Sequence, residues 1–285
     1  MAKKPYCFFT IALNETNQGY LKMMKNSFKK FHPNDELIVY GKEDFENNLK
    51  NKDFMEGVAD LRFPDDNMFR LTPLFAKELI KEYELIVRLD ADQLIMGDLN
   101  YIIDHRHEFD LGTVLNINRV DPLKYKPCDG WGIPANEYYN IGLIAFTSEA
   151  LVNHLWKLCN SKYFWRLQYR EQDLVNAIAV YSGWRTKCFD HYDDKNKYYA
   201  WHGLVAKGEG IYMKLEKDER FPDRYKVVLP KGKDNYPDRD LLIKAYHWAG
   251  GAYEKKMNYD VYFKGEVLDY IKWLISDTDK PYEKK

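Results

Sequence analysis

Short, continuous apolar runs alternate with segments of helical spacing through the first ninety residues, and this alternation restricts the fold more than any other feature of the chain. "YCFFTIAL" at 6 to 13 reads as a buried strand running into the polar "NETNQG". Leu21, Met24, Phe28 and Phe31 then fall on one face of a predicted helix over residues 18 to 31, which stops before Pro33. "ELIVYG" at 36 to 41 is a second strand, and "TPLFAKELIKEY" leads into a third, "ELIVRLDAD". Strand, helix, strand in repetition is the pattern of an α/β fold with a mainly parallel central sheet flanked by helices. "FDLGTVL" and "IGLIAFT" continue it as strands. "SEALVNHLWKLCN", opened by a Ser148 cap, and "REQDLVNAIAVY" continue it as helices. Residues 190 to 240 read as irregular, with surface loops around short strands such as "YKVVLP". "LIKAYHW" at 242 to 248 is a late strand. "GEVLDYIKWLIS" closes the fold as a helix whose Val267, Leu268, Ile271, Leu274 and Ile275 form one apolar face, suited to docking on the body or to lying on a membrane surface.

Composition excludes several classes. Forty-three lysines and arginines against 44 aspartates and glutamates give a net charge of -1, so no overall field draws nucleic acid or an anionic membrane. Cys7, Cys128, Cys159 and Cys188 show neither zinc-site spacing nor disulfide-scaffold density, and read as reduced, mostly buried thiols. The first apolar run is too short to span a bilayer and lacks a cleavage site after it, so the expectation is a cytoplasmic protein without a transmembrane segment. The Asn14-Glu15-Thr16 sequon is then silent. Aromatic residues, at 16%, suit sugar or base stacking, although composition alone favours an aromatic-rich core and surface. "KGEGIY" lacks the third glycine of a dinucleotide fingerprint and no P-loop is present, which removes NAD and ATP-hydrolysis readings.

Asp90 and Asp92 are the informative acids, because they follow one apolar run and precede another. Ligands of an open α/β sheet bind beyond the carboxyl ends of its strands, where two carboxylates can hold a hard divalent cation such as manganese or magnesium. His105 and His107 have a ligand-like spacing, but "DHRHEFD" reads as a solvated loop.

With these acids, three further motifs occur in order: "YYNIG" with Tyr138, Tyr139, Asn140 and Gly142, "EQDLVN" with Glu171, Gln172, Asp173 and Asn176, and "HWAG" with His247 and Gly250. Together they resemble the GT-A glycosyltransferases, most closely glycosyltransferase family 8, the glycogenin and lipopolysaccharide glycosyltransferase group. The resemblance covers most of the chain and implies one GT-A domain over 1 to 285, with a nucleotide-binding half at about 1 to 100 and an acceptor-binding half at about 101 to 285. It implies Asp90, Asp92 and His247 as ligands of manganese or magnesium. Gln172, Glu171 and Asp173 are implied at the reacting sugar. Thr10, Ala12, Asn14, Arg70, Ala91, Asn140, Gly142, Gly250 and Lys255 are implied around the donor. Tyr198, Tyr199 and Trp201, in the irregular stretch between two motifs, are candidate acceptor contacts.

The implied activity is transfer of a hexose from a nucleoside-diphosphate sugar, UDP-linked, to a hydroxyl of a carbohydrate, glycoconjugate or protein, with retention of configuration; homo-oligomerisation stays open. Gln172 is a poor nucleophile, which favours front-face attack over a covalent intermediate. The chain departs from the family pattern in Glu171, where the family often has Asp, in the longer spacing from Arg70 to Asp90, and in "WAGGAYEKK" replacing a "KPW" ending. Arg88, a charge inside an apolar strand, has no counterpart beyond pairing with an acidic neighbour. A sugar nucleotidyltransferase, which needs a glycine-rich loop after the first strand, and a catalytically silent sugar- or nucleotide-binding protein remain as alternatives.

Overall fold

The computed structural model describes residues 2–13, 15–49, 70–115, 133, 138–161, 164–167, 169–189, 198–203, 212–219, 224–230, 241–247 and 263–284. The first half follows the expected alternation: β1 (Lys4–Ile11), α1 (Glu15–Phe31), β2 (Leu37–Tyr40), α2 (Lys42–Leu49), α3 (Leu71–Leu79), β3 (Tyr83–Leu89), β4 (Gln93–Ile95) and the short α4 (Asn100–Asp104). β5 (Leu111–Leu115), β6 (Tyr139–Phe146), α5 (Glu149–Cys159), α6 (Glu171–Tyr181) and β7 (Thr186–Cys188) follow, then β8 (Tyr198–Gly203), β9 (Lys214–Lys217), β10 (Tyr225–Leu229), β11 (Leu241–His247) and α7 (Gly265–Leu274).

Six strands form a central sheet in the order β2-β1-β3-β6-β5-β7, in which only β6 runs against the others. The fold is therefore α/β with a mainly parallel sheet flanked by helices, as the sequence pattern predicts. A second sheet is built on β11: β8 runs parallel along its length, β10 pairs antiparallel with residues 241 to 243, and β4 with residues 245 to 247. β3 and β4 thus belong to different sheets, and Asp90, Ala91 and Asp92 are the link between them.

Two readings of the sequence are corrected. Residues 198 to 203 are not a loop but a strand, recruited by β11 rather than by local alternation. "DHRHEFD" is not a free loop either: α4 ends in it and residues 106 to 108 make a 3-10 turn, with His105 Nδ1 2.9 Å from the Tyr101 carbonyl. Asn140 and Gly142 both lie inside β6, which begins two residues ahead of the expected "IGLIAFT" strand. The expected cap is present, Ser148 accepting from Leu151 N–H at 3.3 Å.

Leu21, Met24, Phe28 and Phe31 of α1 are buried in the same core as Val267, Ile271 and Leu274 of α7, so the closing helix docks on the body. Among the described residues, no helix is long and apolar enough to cross a membrane. Cys7 and Cys159 are buried, Cys188 is half-buried, none of the three is in a disulfide, and Cys128 lies outside the described residues. A cavity of about 630 Å³ between the end of α1, α7 and residues 276 to 282 shares no lining residue with the Asp90 turn.

His32, one residue past α1, ties that helix to the segment after β4. Its Nε2 accepts the backbone N–H of Leu99 at 2.9 Å, and its Nδ1–H donates to Asp35 at 2.6 Å. An imidazole accepting at one nitrogen is neutral, and burial, which outweighs Asp35, holds its pKa below the ordinary 6.5. The unfolded chain therefore binds the proton more readily, and this contribution to stability is complete above pH 6.5 and declines as the pH falls below it. His32→Gln should cost about 1–3 kcal/mol at pH 7, through the unpaired Leu99 N–H, and should flatten the fall in melting temperature between pH 7 and 5. An unchanged pH profile would show that His32 is not the group responsible.

Candidate metal centre

Asp90, Asp92 and His247 present one ligand atom each within 4.8 Å of one another. His247 Nε2 lies 3.3 Å from Asp90 Oδ2 and 3.1 Å from Asp92 Oδ1. The register explains the meeting, since His247 pairs with Gln93 across β11 and β4, directly after the acidic turn. The two carboxylates stay 26% and 20% exposed, open to a ligand, while His247 is 5% exposed. Burial by itself lowers the imidazole pKa, but the charges of Asp92 and Asp90 and hydrogen bonds to both outweigh it and push it up to about 9. The ring thus carries the positive charge that two converging acids require.

Gly142 sets this geometry. Its carbonyl accepts from Asp90 N–H at 2.8 Å and from the Gln93 side-chain amide at 2.6 Å, gripping both ends of the turn. Its N–H donates to Asn140 Oδ1 at 2.7 Å. A Cβ added here would meet the His247 ring, at 2.6 Å from Nδ1 and in collision with Cε1, so only glycine lets the imidazole lie where it does. Gly142 is available because β6 bulges: β5 pairs with Ile144 and then with Asn140, leaving residues 141 to 143 opposite no residue of β5.

The "EQDLVN" motif opens α6, and most of it is spent on attachment. Asn176 behaves as a strand in miniature, accepting from Tyr139 N–H at 2.7 Å and donating to the Tyr139 carbonyl at 3.0 Å. Asp173, 1% exposed, accepts from Tyr138 OH at 2.6 Å and from Tyr169 N–H at 2.9 Å. Glu171, 2% exposed, has its pKa raised to about 8 by burial, against the lowering effects of Arg88 and of a hydrogen bond with Thr72. Gln172 is the half-buried member, its Oε1 3.4 Å from Ile141 N–H, beside Gly142. Arg170, just before the helix, takes φ 49°, a left-handed turn that an arginine adopts at a cost.

Thr10 and Ala12 are buried at the end of β1, which runs parallel to β3 with Phe9 beside Arg88, so they lie at the sheet end that carries the acidic turn. Thr10 Oγ1 is buried without a hydrogen-bond partner among the described residues, and Ala12 shares a core cluster with Ala91. Arg70 turns its guanidinium over Phe164, 5.1 Å from the ring centre, and towards Asn160. Asn14, Gly250 and Lys255 lie outside the described residues. Along β8, Gly203 is the residue in register with His247, and Trp201 pairs with Ala245. At about 3.3 Å per residue, the backbone of Tyr198 and Tyr199 is some 13–17 Å further down the strand.

Two residues with a part here are not among the site residues read from the sequence, although the acidic partner expected of Arg88 is present as Asp90. Gln93 is fully buried, and its signal was its position next to Asp92 at the head of a strand. Arg88 donates from Nη1 to the Ile141 carbonyl at 2.9 Å and bonds Asp90 Oδ1 through Nη2; its signal was a charge in an apolar strand, which demands a partner.

No protein-family model matches the chain, and no curated protein sequence matches it. Among solved structures it is similar to the bifunctional glycosyltransferase WbbM in its apo form, with 14% identity and a TM-score of 0.43, over 67% of this chain and 39% of that one. Mouse xyloside xylosyltransferase 1, also apo, gives 12% identity and a TM-score of 0.46, over 65% of this chain and 85% of that one. A glycosyltransferase involved in glycosylation of the major capsid of PBCV-1 gives 14%, 0.39, 62% and 75% respectively. Likenesses of this size leave the chemistry to be argued from the residues.

Proposed function

We propose that the chain is a metal-dependent glycosyltransferase of the GT-A type, a single domain that moves a hexose from a UDP-linked donor to an acceptor hydroxyl with retention of configuration. The observation that carries the reading is the meeting of Asp90, Asp92 and His247, drawn from a turn and a strand 155 residues apart, beside Gly142. Two carboxylates and a neutral imidazole fit manganese or magnesium. Such an ion, once bound, supplies Lewis acidity against the charge that grows on a departing diphosphate.

The chain's own residues do the rest. Asp90 and Asp92 bring the negative charge that makes the site a cation site, and His247 loses its proton to become a third ligand. Gln172, held against Ile141, is the side chain of α6 assigned to the sugar, where a carboxamide orients hydroxyls and cannot form a stable glycosyl ester; attack on the donor's own face follows. Glu171 and Asp173, both buried, support Gln172 by fixing the helix start. Thr10 and Ala12 are assigned to the nucleoside, at the same sheet end.

The test is a panel of UDP- and GDP-sugars with manganese, following donor hydrolysis. Turnover of one donor is expected. Donor binding without turnover would identify a silent binding protein, and release of diphosphate from a nucleoside triphosphate with a sugar phosphate would identify a nucleotidyltransferase. By calorimetry, UDP should bind at least about tenfold more weakly after chelation, because diphosphate and two aspartates repel one another without a cation between them. Equal affinity in both conditions removes the metal from donor binding.

Two variants locate the site. Asp92→Asn should reduce turnover by about 10²-fold or more with little change in melting temperature, since an anionic ligand is lost without a cavity. Gly142→Ala should weaken manganese binding by about 10–100-fold, as its methyl displaces the His247 ring while both acids stay in place. A manganese affinity unchanged in Gly142→Ala would mean that His247 is not a ligand.

A further inference from the structure

We propose that Arg88 sets the cation selectivity of the Asp90, Asp92 and His247 group, by holding one oxygen of Asp90 so that this carboxylate reaches an ion through Oδ2 alone. The inference rests on the cation-site reading above. Arg88 lies in the central strand β3, and its side chain is 14% exposed. Its guanidinium is a planar fork with one prong on the Ile141 carbonyl at 2.9 Å and the other on Asp90 Oδ1. The Ile141 carbonyl is backbone, in the bulged part of β6, so the fork cannot swing to follow a rotating carboxylate. Asp90 Oδ2 points the other way, 3.3 Å from His247 Nε2, on the side where Asp92 also lies.

A carboxylate pinned in this manner is a one-oxygen ligand. Magnesium-sized ions need few protein ligands at about 2.0–2.1 Å in octahedral geometry. Calcium takes about 6–8 oxygens at about 2.3–2.6 Å and commonly draws both oxygens of one carboxylate. Holding Oδ1 therefore withholds a contact that calcium uses and magnesium does not. Arg88 touches neither ion nor sugar in this account; it is a positioning residue, held by the Ile141 carbonyl.

The experiment uses manganese bound to the full chain as a magnetic-resonance reporter and displaces it with magnesium or calcium in separate titrations. The quantity read is the ratio of the two displacement constants. Arg88→Gln should move that ratio towards calcium by roughly tenfold, and Arg88→Lys, which keeps the charge but not the fork, by a smaller amount. Removing a positive charge by itself strengthens both ions alike and leaves the ratio unmoved, and that outcome overturns the proposal. Melting curves accompany each variant; if Arg88→Gln does not fold, Arg88→Lys decides by the same ratio. Should the unaltered protein bind none of the three ions, the cation-site reading falls and takes this inference with it, whereas binding with a constant ratio sinks the inference alone.

Discussion

Ile141 and Gly142 stand opposite no residue of β5, and their peptide groups hold much of the centre. Buried backbone donors and acceptors must be paired. Here Ile141 N–H meets Gln172, the Ile141 carbonyl meets Arg88, Gly142 N–H meets Asn140, and the Gly142 carbonyl meets both Asp90 N–H and Gln93. Leaving any such group unpaired costs about 1–3 kcal/mol. One irregularity of one strand thereby fixes an acid, an arginine, three side-chain amides and, through the missing Cβ, the imidazole. The bulge is a device for turning main-chain hydrogen bonds from the sheet to the site.

Charge is the second constraint, and it follows from the first. Asp90, Asp92 and Glu171 crowd a partly buried region that Arg88 and His247 must compensate. The partners are divided: Arg88 faces Asp90 and, behind it, Glu171, while His247 faces Asp90 and Asp92. Glu171 is the most buried of the three acids, and burial raises its pKa in spite of Arg88, so the fold disfavours a third negative charge there. With His247 protonated, the carboxylates have a cation built into the protein. In the function proposed above, the same ring would turn from counter-ion to ligand by losing one proton, so the chain need not carry two bare acids before a metal binds.

The sequence made the strand and helix alternation legible because apolar runs and helical spacing are local signals. The acidic turn was legible for the same reason, framed by Leu89 before it and Leu94 after it. β8 was not, since "YYAWHG" becomes a strand only when β11 lies beside it, and β11 is some forty residues away in the chain. Motif order placed Asn140, Gly142, Gln172 and His247 in one list without saying what each does. Gly142 reads in the sequence as one glycine of a motif entering a strand; its actual constraint is a ring contributed by residue 247, which no local pattern encodes. Asp173 and Asn176 stand in the motif beside Gln172, and their hydrogen bonds include ones to Tyr138, Tyr169 and Tyr139. A polar residue placed in a motif and a polar residue that faces the ligand look alike until the hydrogen bonds are counted.

The acidic turn is also the covalent link between two sheets. β3 carries Asp90 out of the central sheet, and β4 enters the second sheet three residues later to pair with the strand that ends on His247. Other joints are hydrogen bonds, from Gln93 to Gly142 and from Ile95 N–H of β4 to Ser27 Oγ of α1, and the apolar core that both sheets share. A ligand held by residues of both sheets stabilises only the arrangement in which the sheets keep this register, by about 2.7 kcal/mol at a hundred times its dissociation constant. Stability and ligand binding therefore act on the same few hydrogen bonds, and a substitution that loosens β4 against β11 should be felt at the acids even though it touches neither.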